Sequence, residues 1–399
     1  MLNGQHIKTI LEDLLRAELA NARAGDVAGV PPGPWSDDLT IDGDGLGSDS
    51  LERLRLAGAV NEMFHIHETG IEDSLLVERR FGDWVDLVAR CWQSNPARLS
   101  FRTSGSTGKP KRCTHSFASL HAEVQEHATR LRPRRIFSAV PAHHIYGFLF
   151  TVLLPAEVGC PVLDIRRNLP PVDAFRPGDV IVAFPDHWHF MLRSLDHLPD
   201  VTGVTSTAPM PTDLACDLSA NGLRRLVEIY GASETAGIAW RDDPHGPFQL
   251  LDHWAVADTV EIGGAARPLP LIGRDGRQVT TPDEVVLLTL RSFTVRRRAD
   301  GAVQIGGVNV FPKHVAETLA QHPMIAQARV RPSQLDEGGR LKALIVPRDI
   351  TAPVDELRRT VQDWMATHLT AAERPRSLTF AVCLPKGALG KDSDWSECE

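Results

Sequence analysis

Between residues 136 and 229 the chain repeats short apolar runs separated by stretches with helical signals, and this alternation limits the fold more than any other feature. Ile136–Val140, Val162–Ile165, Val180–Phe184, Gly203–Ser206 and Leu226–Ile229 are short, apolar and spaced by helical segments. Such runs read as buried strands of an α/β sheet. From Val285 to Val310 the pattern turns hairpin-like. Beyond it, helix Val315–Gln321, strands Ala326–Val330 and Lys342–Val346, helix Val354–His368 and strand Ser377–Phe380 predict a small α+β domain.

The first ninety or so residues have a different character. Ile7, Ile10, Leu11, Leu14, Leu15 and Leu19 recur at helical spacing, and helical signals resume at Leu51–Phe64 and near Phe81–Trp92. The Gly- and Pro-rich stretch between the first two helices reads as a loop. The expected domains are therefore 1–95, 96–299 and 300–399. The formal net charge of −8 argues against a nucleic-acid partner. No apolar run is long enough to span a bilayer, and the N-terminus reads as an amphipathic helix rather than a signal segment. The six cysteines are scattered with no metal-like spacing, which fits reduced thiols and a cytoplasmic protein.

Residues 103–111 read Thr-Ser-Gly-Ser-Thr-Gly-Lys-Pro-Lys. Glycines let backbone N–H groups approach a polyphosphate, hydroxyls add rotatable donors, and Lys109 and Lys111 supply charge. The order is not that of a Walker A loop, because Pro110 follows Lys109. Taken alone, such a cluster is more often a surface linker. Further along stand Pro-Ala-His-His-Ile-Tyr-Gly at 141–147, Ser-Thr-Ala-Pro-Met at 206–210 and Tyr-Gly-Ala-Ser-Glu-Thr at 230–235. Arg298-Ala-Asp300 precedes Gly307-Val-Asn-Val-Phe-Pro312, and Pro-Lys-Gly-Ala-Leu-Gly-Lys closes the series at 385–391.

In that order the segments resemble the adenylate-forming superfamily of acyl-CoA synthetases, aryl-CoA ligases and adenylation domains. The resemblance covers about 300 residues. It implies an α/β adenylation core with a small, mobile α+β C-terminal lid. It also implies an enzyme that uses ATP and Mg²⁺ to convert a carboxylic acid to its acyl-AMP, then passes the acyl group to a thiol of CoA or of a carrier-protein phosphopantetheine. Carried over position by position, Thr103, Ser104, Gly105, Ser106, Thr107, Gly108 and Lys109 would hold the phosphates. Ala208, Pro209, Tyr230, Gly231 and Ser233 would border the adenine, and Glu234 would hold Mg²⁺. His144 would border the acyl pocket, Lys391 would meet the carboxylate and α-phosphate, and Asp300 would be the hinge beside Arg298. The Gly-Val-Asn-Val-Phe-Pro stretch resembles phenylacetate-CoA ligases and leans towards an aromatic acid.

The match departs in three places. Thr207 stands where the family has glycine. The ribose aspartate is not plain, with Asp283 and Asp258 both open. The usual N-terminal subdomain is missing or replaced. Leu46-Gly47-Ser48-Asp49-Ser50-Leu51-Glu52 resembles instead the start of an acyl carrier protein's second helix. This implies a helical carrier-like domain with Ser50 as a phosphopantetheine attachment site; equally, Asp49 and Ser50 are natural residues to cap a helix. A non-catalytic nucleotide or acyl-AMP binder, and a carrier or scaffold with a vestigial ligase half, are the competing functions.

Overall fold

A computed structural model describes residues 2–23, 25–26, 29–94, 97–103, 111–257, 260–299, 301–305, 308–333 and 340–384. They fall into two compact units. One runs to residue 295 without 282–284; the other holds 282–284 and the chain from Arg296.

The first unit begins with helices. Asn3 caps α1 (Gly4–Ala22), whose inward face carries Ile7, Ile10, Leu11, Leu15 and Leu19, all fully buried. Asp49 caps α2 (Ser50–Phe64): its carboxylate accepts the Glu52 N–H while the Glu52 side chain accepts the Asp49 N–H. The short α3 (Ser74–Val77) leads to α4 (Phe81–Ser94), which buries Trp84, Leu87, Val88 and Trp92.

These helices are not a domain of their own. Their apolar faces join one cluster with Leu99, Phe101, Phe148, Val180, Val204 and Val227 from the α/β part, and they lie in the same compact unit. The structure does not set residues 1–95 apart as the separate carrier-like domain expected there. Ser50 is exposed in the first turn of α2, and Asp49 is the cap. The resemblance had a physical source: an Asp with a Glu three residues on is a general helix-start device. We expect Asp49→Ala to cost about 1 kcal/mol, and Ser50→Ala to leave both stability and ligation of free CoA unchanged. Urea denaturation and a thioester assay on the two variants check this.

After α4, β1 (Arg98–Thr103) and β2 (Lys111–Ser116) form an antiparallel pair in which Thr103 faces Lys111. Next come α5 (Phe117–Leu131), β3 (Arg135–Ser138), α6 (Ile145–Gly147), a π-helical turn Phe148–Leu153, and α7 (Leu154–Val158). The chain continues through β4 (Val162–Asp164), β5 (Asp179–Ala183), α8 (Pro185–Ser194), β6 (Thr202–Thr205), α9 (Thr212–Ala220), β7 (Arg225–Ala232) and β8 (Ala236–Arg241). It then forms β9 (Phe248–Leu250), β10 (Trp254–Val256), β11 (Arg267–Gly273), β12 (Gln278–Thr289) and β13 (Ser292–Arg298).

Strands β4, β3, β5, β6 and β7 are parallel neighbours in that order, and β8 and β9 continue the sheet antiparallel. Every residue of β5 and β6 is buried, as the unbroken apolar runs require. The exception is β4. Val162 and Leu163 are exposed because β4 is the edge strand, so an apolar run expected to be buried is only half covered.

The second unit holds the hairpin β14 (Val303–Ile305) and β15 (Val308–Val310), then α10 (Pro312–Ala320), β16 (Ile325–Pro332), β17 (Leu341–Pro347), α11 (Val354–His368) and β18 (Ser377–Phe380). β17 pairs antiparallel with β16 and parallel with β18. Val315, Leu319, Ile345, Leu357, Val361 and Met365 fill its core.

Candidate active site

In a parallel sheet the loops leaving the carboxyl ends of adjacent strands open on one edge, where ligands bind in open α/β folds. Three of the motif segments lie there. Residues 141–144 follow β3, residues 206–210 follow β6, and residues 231–235 span the end of β7 and the turn into β8.

The turn after β7 is tightly built. A side chain at Gly231 would strike the Ala236 carbonyl at 2.2 Å, so the position accepts only glycine. Thr235 Oγ1 lies 3.1 Å from the Ala232 N–H and 2.9 Å from the Ala236 carbonyl. Tyr230 packs by its ring against Phe248 and Phe293, with centroids 5.4 and 5.5 Å away. Glu234 projects from the turn with its side chain 48 % exposed, and its carboxylate lies 3.8 Å from Lys111 Nζ. Lys111 opens β2, so the start of the hairpin's second arm and the Glu234 turn meet.

The loop after β6 is anchored on β7. Ser206 Oγ donates to the Ile229 carbonyl at 2.9 Å, and the Met210 N–H donates to Glu228 at 3.0 Å. Glu228 is buried against Arg241 at 2.7 Å, and burial raises its pKa despite that partner. Ala208 and Pro209 lie between the anchors. Thr207 holds φ at 75°, in the left-handed region. A β-branched residue is strained there, which explains why a glycine suits this position in the family pattern.

The segment after β3 is held from the N-terminal helix. Asp13 on α1 is buried and accepts the Ala142 N–H at 2.6 Å, while Arg166 donates to its other oxygen at 2.8 Å. The His143 and His144 rings lie against each other, tilted by 35°, with centroids 4.3 Å apart. His144 is exposed to solvent. Burial, with His144 beside it, drives His143 down to about 3. Tyr146 Oη is buried within 3.0 Å of the Ala183 and Val204 carbonyls, so this tyrosine is a core residue.

Two residues that sequence reasoning passed over complete the picture. His115 on β2 is 1 % exposed, with Nε2 2.7 Å from the Ser233 carbonyl. Arg277, in the turn between β11 and β12, reaches His115 Nδ1 at 3.2 Å and also donates to the Glu234 carbonyl. Burial, followed by lesser effects that include the Arg277 charge, lowers the His115 pKa. The one available signal was position: Cys113 and His115 are the inward residues of β2. Burial pushes the Cys113 thiol up to about 11, so it is not a nucleophile near neutral pH.

The remaining expectations divide. Asp283 is buried in the middle of β12 and Arg298 ends β13, both within the second unit. Residues 104–110, Asp258, Asp300 and Lys391 lie outside the described residues. Among the described residues the one His/Cys/Asp/Glu group with metal-like spacing is His65, His67 and Glu68, within 4.8 Å of one another. Glu68 there already receives Arg98, which accounts for its charge. No described helix is long and apolar enough to cross a membrane.

The AMP-binding enzyme model matches residues 59–270, and the AMP-binding enzyme C-terminal domain model matches 314–391. The chain belongs to the AMP-binding enzyme family. The match starts inside α2, so it already covers part of the helical segment. A 4-coumarate–CoA ligase of Halorhodospira halophila is 38 % identical over 98 % of this chain and 99 % of its own. Another from Cereibacter sphaeroides is 39 % identical over 91 % of this chain and 87 % of its own. Among solved structures, the amide bond synthetase McbA from Marinactinospora thermotolerans shares the fold, with a TM-score of 0.61, 18 % identity and 98 % coverage of both chains. These matches make the chain an AMP-forming acid–thiol ligase that uses ATP.

Two histidines with lowered pKa contribute to the acid response of this AMP-binding enzyme. His115 and His143 bind protons less readily in the native state than in the unfolded chain, where His titrates near 6.5. Their contribution to stability is therefore present above about pH 6.5 and is lost as pH falls towards the lowered folded values. We expect the urea midpoint to decline steadily from pH 7 to 5. His143→Gln should flatten that slope.

Proposed function

We propose that the enzyme activates an aromatic carboxylic acid of the 4-coumarate type as its acyl-AMP and transfers the acyl group to free CoA. The observation that carries this reading is the Glu234 turn beside Lys111, at the carboxyl edge of the sheet. A half-exposed carboxylate that, among the described residues, pairs only with Lys111 at 3.8 Å can accept a hard divalent ion shared with phosphate oxygens. The full-length identity to two 4-coumarate–CoA ligases supports the aromatic class.

In the first half-reaction a carboxylate oxygen attacks the α-phosphorus of ATP and pyrophosphate leaves. In the second, a thiol attacks the acyl carbon and AMP leaves. No side-chain nucleophile is needed; orientation and neutralisation of charge lower the barrier. Mg²⁺ bound at Glu234 would neutralise phosphate charge. Residues 103–109 with Lys111 would hold the phosphates, the 206–210 and 230–233 loops would border the base, and Lys391 would meet the developing charge. His144 would line the acid site. Asp283 remains the proposed ribose ligand, and Asp300 the hinge on which the C-terminal lid turns between half-reactions. Free thiols at Cys91, Cys113, Cys160, Cys216 and Cys383 support a cytoplasmic setting.

Pyrophosphate exchange with a panel of acids tests the proposal. Exchange should be fastest with hydroxycinnamates and slow with benzoate, phenylacetate and fatty acids. Equal rates across the panel would remove the aromatic assignment, and no exchange with any acid would remove the adenylation chemistry.

A further inference from the structure

Two consecutive carbonyls of the Glu234 turn are taken by side chains from distant parts of the first unit. The Ser233 carbonyl faces His115 Nε2 at 2.7 Å, and the Glu234 carbonyl receives Arg277 Nη2. A carbonyl can only accept, so the His115 proton sits on Nε2. That leaves Nδ1 as a lone pair, and Arg277 Nη1 donates to it at 3.2 Å. The chain Arg277–His115–Ser233 therefore works with one tautomer of one neutral ring. His115 is 1 % exposed, and desolvation with the adjacent guanidinium keeps it neutral. Arg277 is itself pinned: its carbonyl accepts the Gly273 N–H at 2.8 Å and its N–H donates to Asp275 at 3.0 Å.

Among the described residues, none restrains the Glu234 side chain comparably. Its carboxylate pairs, among those residues, only with Lys111, at 3.8 Å, and 48 % of the side chain is open to solvent. Its aim must therefore come from the backbone. Fixing the carbonyls of residues 233 and 234 fixes the two peptide planes that flank the Glu234 Cα, and so the direction of its Cβ. We propose that His115 and Arg277 are a positioning pair that sets the Glu234 carboxylate for the metal. The pair does not touch substrate; it acts through the Ser233–Glu234 backbone. This rests on the reading of Glu234 as the Mg²⁺ ligand.

The test uses the full-length enzyme and two readouts. Mn²⁺ affinity is measured by electron paramagnetic resonance in the presence of α,β-methylene ATP, which cannot react. The Mg²⁺ requirement of pyrophosphate exchange is measured beside it. The variants are His115→Phe, His115→Gln, Arg277→Ala and Arg277→Lys, with Glu234→Gln as the reference. Residues that orient a metal ligand from outside are worth roughly 10–100-fold in metal affinity. His115→Phe keeps the ring and loses both hydrogen bonds, so Mn²⁺ affinity should fall by about 10-fold or more. Arg277→Ala should do the same, and it carries the test alone if His115→Phe fails to fold. His115→Gln, which can place an amide N–H against Ser233, should restore most of the affinity, and Arg277→Lys part of it.

Loss of thermal stability in these variants with unchanged Mn²⁺ affinity would overturn the pair while leaving Glu234 in place. Unchanged Mn²⁺ affinity in Glu234→Gln would overturn both the pair and the reading beneath it. Equal losses in His115→Gln and His115→Phe would also overturn the proposal, because the Nε2 donor would then not be what matters.

Discussion

With Lys391 changed to alanine, acyl-AMP formation is expected to fall by roughly 10²–10³-fold while thioester formation from supplied acyl-AMP continues near its original rate. Removing one donor aimed at developing charge costs on that scale, about 3–4 kcal/mol. The split between half-reactions is the informative part. A lysine needed only while charge builds on the carboxylate and α-phosphate has no role once pyrophosphate has left. Single-turnover measurement of each half-reaction decides it, and equal loss in both would place Lys391 in general substrate binding. The prediction comes from the Pro385–Lys391 motif, since Lys391 lies outside the described residues.

The second large effect is expected at Asp13. This carboxylate is buried on α1, accepts the Ala142 N–H at 2.6 Å and pairs with Arg166 at 2.8 Å. Asp13→Ala leaves a buried N–H without a partner and a guanidinium without one of its carboxylates. Breaking a buried charged pair from one side costs about 3–5 kcal/mol. Arg166 keeps Asp164 at 2.5 Å and is a third exposed, so the lower figure applies. At about 2.1 cal/mol/K of unfolding entropy per residue, or roughly 1–2 °C per kcal/mol for 399 residues, the midpoint of thermal unfolding should drop by roughly 3–6 °C. Because Ala142 precedes His143 and His144, KM for the acid should rise as well. Asp13→Asn, which keeps an acceptor, should recover most of the stability. A shift below about 2 °C would mean the staple is dispensable.

Much of the α/β architecture was legible because periodicity reports burial. The unbroken runs at β5 and β6 became fully covered strands, and the apolar spacing of Val354–His368 became α11 with those bounds. In the turn after β7, Gly231 and the Thr235 hydroxyl are demanded by local geometry, whereas Glu234 stood out only by its place in the motif that resembles the family. The misreadings have equally physical causes. An edge strand such as β4 looks apolar without being buried, because neighbours decide coverage. Leu46–Glu52 looked like a carrier because a capped helix start is common property of many folds. His115 and Arg277 stayed invisible because they lie 162 positions apart and meet only in space. Nothing in a lone buried histidine says which carbonyl it will face.

The fusion of the N-terminal helices into the sheet's core has a consequence for synthesis. α1 leaves the ribosome ahead of the sheet with five fully buried aliphatic residues, each worth about 1.5–3 kcal/mol when covered. Part of what covers them, the turn at Phe148–Leu153, is made far later, as is Ala142, the partner of Asp13 at a separation of 129 residues. At about 5–20 residues per second the nascent helix waits roughly 6–26 s for that partner. Through that interval a greasy helix stands without its groove, a natural client for a chaperone that shields apolar segments. The same dependence forbids treating residues 1–95 as a detachable module. A chain started at residue 96 would expose the matching groove for its entire life, and it should accumulate in inclusion bodies rather than as a smaller ligase.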